Sequence, residues 1–192
     1  ERITNFVTNW NIISYPGSAW AKQVFPDLEE RDAIASLAQA IFSISRVDNP
    51  DPIAAWEKHQ QTLTSRQKWL NEKNFSALRY SGPGTDLTIG LAEGHEWKGG
   101  ASTSKNGITC TPNIPTEEVF TTPHSHRVDG CVRATKPLVY RGTLIDGIEV
   151  EFEKGKITKA RADKGEEVFL NLLDTDEGAR LPYSGYSTEE RS

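Results

Sequence analysis

The chain has no methionine and only two cysteines, Cys110 and Cys131, among its 192 residues. Two thiols cannot build a disulfide framework, and both lie in apolar, strand-like stretches. That predicts reduced, buried side chains of the kind kept in the cytoplasm. With Glu1 first and methionine absent, the sequence does not open like an unprocessed translation product, so residues upstream are expected. Long apolar runs are missing too. None approaches the roughly 20 residues that span a bilayer, and no signal-peptide pattern precedes the first structured residues, so no membrane association is expected. Nor is there a cationic excess: 22 basic side chains face 27 acidic ones, for a net charge of −5. That balance disfavours phosphate backbones, and no nucleic-acid partner is expected.

What is present suits a globular protein. The apolar fraction is 36%, the charged fraction 26%, and there are five tryptophans. The length suffices to bury one sizeable core or two small ones. Residues 1–26 read as a short buried strand followed by a short helix, with Phe6, Val7, Trp10, Ile12 and Ile13 ahead of the Pro16-Gly17 break and Trp20 on the helix. Residues 27–74 read as a helical pair. Asp27 and Glu30 form a capping-box pattern before Ile34, Leu37, Ala38 and Ile41, which predicts a helix over 28–45. Asp51 before Pro52 caps a second helix ending near 71, with Ile53, Trp56, Leu63 and Leu70 as its apolar face and His59 near its surface.

From residue 75 to 180 the period shifts from about 3.6 to 2. Leu87, Ile89 and Leu91 alternate with polar neighbours. Further strands are expected at 108–110, 128–134, 138–140, 148–153 and 156–162, with turns at Asp129-Gly130, Asp146-Gly147 and Lys154-Gly155. A last helix is expected over 165–173. The reading is an α+β chain in which two helices pack against a curved, mainly antiparallel sheet or partial barrel. Residues 181–192 are polar and without periodicity, and read as a tail.

The stretch richest in chemistry is Pro112-Asn113-Ile114-Pro115-Thr116-Glu117-Glu118-Val119-Phe120-Thr121. Two prolines stiffen a loop that presents adjacent carboxylates just before a strand. Carboxylate oxygens suit zinc, cobalt or manganese, and a pair of such ions could activate a bridging water toward a peptide carbonyl. The same pattern also describes two solvated side chains at a strand entrance.

In this loop, and in Phe6-Val7-Thr8-Asn9-Trp10, Asp51-Pro52-Ile53-Ala54-Ala55-Trp56, Gly82-Pro83-Gly84-Thr85-Asp86-Leu87 and Leu173-Asp174-Thr175-Asp176-Glu177-Gly178-Ala179-Arg180, the chain resembles the aminopeptidase T family, which includes the aminopeptidase S type. The resemblance covers about nine-tenths of the chain and implies the central segment of a two-metal aminopeptidase. It implies a cytosolic homodimer that removes amino-terminal residues from peptide substrates and uses two divalent metal ions, zinc, cobalt or similar. It further implies Glu118 as a metal ligand and Glu117 as a neighbour that is not one. The family's remaining site residues are a glutamate in Leu-Gly-Glu, a histidine after Asp-Glu-Asn-Ala, a catalytic tyrosine and a His-x-Asp pair. None has a counterpart here, so one metal ligand and no catalytic residue is expected in this chain, and little turnover by it alone. A non-catalytic binding or assembly module derived from the family is the competing expectation.

Other features carry weaker signals. His124-Ser125-His126 would put two imidazoles on one side of an extended segment, a loose chelate, while Pro123 suggests a surface loop. Gly82-Pro83-Gly84 lacks the lysine and glycine spacing of a P-loop and reads as a turn. Trp97 reads as core before a glycine turn, and Asp174, Asp176 and Glu177 do not match a calcium loop.

Overall fold

The structure, a computed structural model, describes residues 2–175. In chain order it contains β1 (Ile12–Ile13), α1 (Ser18–Val24), α2 (Glu30–Ile44), α3 (Pro52–Lys73), β2 (Ala77–Gly82) and β3 (Thr85–Leu91). Short strands follow: β4 (Lys98–Gly99), β5 (Ser102–Thr103), β6 (Thr109–Cys110), β7 (Asn113–Ile114) and β8 (Val119–Phe120). Then come β9 (Pro123–Arg133), β10 (Leu138–Tyr140), β11 (Thr143–Ile145), β12 (Glu149–Glu153), β13 (Lys156–Arg161) and α4 (Glu166–Leu173). The fold is α+β. The chain divides into two compact units, Glu1–Trp69 with Lys98–Val119, and Leu70–Trp97 with Phe120–Ser192.

In the first unit, α1 and α2 pack through Ala21, Ala33 and Leu37, flanked by Phe25, Ile34 and Ile41. These α2 positions recur at helical spacing, as the sequence predicts. The predicted capping box does not form. Glu29 is the N-cap and offers no side-chain cap, while the Glu30 carboxylate accepts a hydrogen bond from Ser18 Oγ at 2.7 Å. An acidic first turn still complements the helix dipole. Asp51, by contrast, caps α3 as expected, its Oδ1 accepting from the Ala54 N–H at 3.0 Å. The inner face of α3 runs through Trp56, His59, Gln60 and Leu63, with Leu63 only 1% exposed. Ile53, expected on that face, is 74% exposed, because it precedes by one turn the segment that faces the loops of this unit.

The expected buried opening strand is a correction as well. A turn closes at Phe6, whose φ is +49, with Phe6 and Val7 amides bonded to Ile3 and Arg2 carbonyls. Of the described residues in this opening segment, only Ile12 and Ile13 form a strand. They pair in parallel with Asn113 and Ile114, and both side chains are exposed.

In the second unit, five antiparallel strands form an open sheet in the order β13-β12-β9-β3-β2. Its core is Ile145, Val150, Ala162 and Phe169. Phe169 comes from α4, the helix that packs on β13 and β11. The Lys154-Gly155 turn closes the β12–β13 hairpin with φ values of +50 and +83, as its sequence predicts. The expected turn at Asp129-Gly130 is instead the middle of β9. Gly130, at φ +116, sits opposite Leu87, where any Cβ would collide with the Asp86 carbonyl. Its glycine serves close approach rather than chain reversal. The same strand absorbs His124 to His126, placed in a surface loop by the sequence reading. Cys110 and Cys131 are free thiols, half-buried rather than fully buried. No helix of the described residues is long and apolar enough to cross a membrane.

Candidate metal-ligand loop

The carboxylate loop runs from β7 to β8 and lies in the first unit as far as Val119. Its start is tied to the chain entrance. Ile12 N–H donates to the Pro112 carbonyl at 2.7 Å, and Asn11 Nδ2 donates to the Thr111 carbonyl at 2.8 Å. Gln60 of α3 donates to Thr111 Oγ1 at 3.0 Å and accepts the Ala101 N–H at 2.9 Å. The Ile114–Pro115 peptide bond is cis.

The end of the loop is gripped by two side chains. His59 Nε2 lies 2.6 Å from the Thr116 carbonyl. Arg46 reaches the Glu117 carboxylate with both guanidinium nitrogens, NH1 to Oε1 at 2.7 Å and NH2 to Oε2 at 3.1 Å. His59 Nε2 is also 3.6 Å from Glu117 Oε2. The Arg46 hydrogen bond holds the Glu117 carboxyl below the ordinary value, with desolvation by burial opposing it. His59, predicted near the helix surface, has a side chain only 12% exposed, because the loop folds over it.

Glu118 is different. It is exposed, and among the described residues its carboxylate has no hydrogen-bond or ion-pair partner. Its backbone, however, is tightly seated: a Cβ added at Gly99 would lie 2.5 Å from the Glu118 carbonyl oxygen. One carboxylate is thus committed to holding the loop and the next is presented bare. A hard, anionic oxygen of this kind suits a divalent ion as one ligand.

The other marked residues do not join it. His124 and His126 lie in the second unit with rings 6.0 Å apart, and His124 Nδ1 already accepts the His126 N–H at 3.1 Å. Among the described residues no three His, Cys, Asp or Glu side chains gather to hold a metal. Gly82-Pro83-Gly84 is the β2–β3 turn, with Gly84 at φ +73. Trp97 is buried as expected, its backbone clamped by Asn71 through bonds of 2.7 and 3.1 Å. Asp174 is the C-cap of α4, while Asp176, Glu177 and the predicted tail lie outside the described residues. Arg46 and His59 were not singled out from sequence as partners of the loop. They stand 71 and 57 residues from the atoms they grip, and nothing local marks them.

Comparison with known proteins gives the class first: this is metallopeptidase sequence and metallopeptidase fold. Residues 1–181 match the family described as thermophilic metalloprotease (M29), and the chain belongs to that family. It is 56% identical over 178 residues to aminopeptidase T of Thermus aquaticus, covering 93% of this chain and 44% of that protein. It is 49% identical over 171 residues to aminopeptidase 2 of Geobacillus stearothermophilus, covering 89% and 41%. A solved structure, wild-type AmpT from Thermus thermophilus, superposes with a TM-score of 0.87 at 53% identity, over 93% of this chain and 44% of that one. The chain therefore spans less than half the length of the relatives it matches.

Proposed function

We propose that this chain contributes one ligand, Glu118, to the two-metal centre of an aminopeptidase, and that the complete enzyme removes amino-terminal residues from peptides. The observation that supports this reading is the division of labour in the loop, with Glu117 bound to Arg46 at 2.7 Å and Glu118 exposed and uncommitted. A residue kept bare beside an anchored neighbour is suited to donate to something external. Two divalent ions, zinc, cobalt or similar, would supply Lewis acidity and an activated water when bound. The chain's own part is to place one carboxylate oxygen and to hold the backbone on either side of it. A cytoplasmic homodimer is part of the same reading.

A second reading is favoured by a specific observation. It is a non-catalytic binding or assembly module derived from the family, and what favours it is that no three potential ligands gather among the described residues. Leucyl chromogenic hydrolysis by the cobalt- or zinc-loaded chain, beside a Glu118→Ala control, tests both. The expected result is no turnover in either protein. Turnover abolished by Glu118→Ala would make the chain itself an enzyme, and turnover that survives it would remove Glu118 from the site.

A further inference from the structure

Glu118 has no partner of its own among the described residues, so its direction is set by the backbone that carries it. Metal ligands must be held to within about 0.5 Å. Resting on the reading of Glu118 as a ligand, we propose that Arg46 and His59 are positioning residues that aim Glu118 through Glu117 and Thr116.

Three observations support this. The first is the conformation of Arg46. The Arg46 N–H bonds to the Ser43 carbonyl and the Val47 N–H to the Phe42 carbonyl, so α2 ends in a Schellman motif with Arg46 in the left-handed position at φ +62. Glycine fills that position without steric cost and arginine does not. A strained arginine where glycine fits freely points to a use for its side chain.

The second is the pre-organisation of that side chain. The guanidinium lies 5.5 Å from the centroid of the Trp56 ring, and Trp56 Nε1 donates to the Ser45 carbonyl at 2.9 Å. The fork is thereby held to meet both oxygens of Glu117.

The third is the proton arrangement of His59. A carbonyl only accepts, so the bond to Thr116 requires hydrogen on Nε2. Arginine only donates, so its contact with Nδ1 at 3.3 Å requires a bare Nδ1. One neutral tautomer satisfies both, and it links the Arg46 side chain to the loop backbone.

The test is backbone 15N relaxation on the metal-free 192-residue chain. Arg46→Gly removes the side chain and relieves the left-handed backbone, so it does not threaten the fold. His59→Leu removes the imidazole, whereas His59→Gln keeps a donor for Thr116 and an acceptor for Arg46. In the unaltered chain the Glu118 order parameter should lie near about 0.85, falling below about 0.6 in Arg46→Gly and His59→Leu and recovering in His59→Gln. Leu37 and Leu63 should stay rigid throughout, and the His59 nitrogen shifts should report hydrogen on Nε2. The proposal is overturned by a Glu118 that is mobile in the unaltered chain, by one that stays rigid in both disrupting variants, by a loss shared equally with Leu37 and Leu63, or by an Nδ1–H tautomer. Because no metal is present, failure of the ligand reading would appear in the hydrolysis assay or in zinc-edge diffraction and not in these spectra.

Discussion

Gly99→Ala should disturb the carboxylate loop without changing any residue in it. An added Cβ would sit 2.5 Å from the Glu118 carbonyl oxygen and 3.0 Å from both Cα and Cγ1 of Val119. Carbon-to-carbonyl contacts are comfortable only from about 3.3 Å, so the strands must separate by about 0.8 Å. The nearest obstacle is backbone, which cannot rotate away as the end of a long side chain could. Overpacking of this kind costs about 1–3 kcal/mol, and for a chain of this size each kcal/mol lowers the melting temperature by about 2–4 °C. Urea unfolding followed by tryptophan fluorescence measures the cost, and the amide shifts of Glu118 and Val119 report the displacement. Gly82→Ala is the control, since nothing lies within 4 Å of its added Cβ, and it should stay within about 0.5 kcal/mol of the parent. If Gly99→Ala were as stable as that control and left the Glu118 amide unshifted, the close seating of the loop on β4 would be refuted.

Three further outcomes are expected. Leu63→Ala, at a side chain 1% exposed, should cost about 2–5 kcal/mol in denaturant unfolding, whereas Ile53→Ala, at 74% exposed, should cost less than about 0.5 kcal/mol. Gly130→Ala should weaken the sheet far more than Gly82→Ala, read as lost hydrogen-exchange protection in β3 and β9, because it combines φ +116 with a collision against Asp86. Arg46 depresses the Glu117 carboxyl below its ordinary 4.5, so the pair's stabilisation is fully present above that value and disappears as pH falls through the lower folded one. With Glu117 57% exposed the effect is small, about 0.5 kcal/mol, and acid titrations of stability should lose that component in Glu117→Gln.

The features legible in the sequence were those whose cause is local. Asp51-Pro52 announces a capped helix because both signals lie within one turn of its start. Lys154-Gly155 announces a hairpin because the turn geometry selects those residues. Asp129-Gly130 carries the same outward sign and means something else, since the reason for its glycine is the Asp86 carbonyl on a neighbouring strand. Asp27 and Glu30 match a capping box in spacing, but Glu30 is taken by Ser18 of another helix. At the candidate site, the resemblance singled out Glu118 and set Glu117 apart from it. What holds the loop was invisible, because Arg46 and His59 reach it from two segments of chain brought together only by folding.

The most direct test of the central claim is zinc-edge anomalous diffraction from crystals of the protein grown with zinc. The account predicts a peak about 2.0–2.2 Å from a carboxylate oxygen of Glu118 and none at Glu117. A peak on Glu117, or one on His124 and His126 with Glu118 bare, would contradict it.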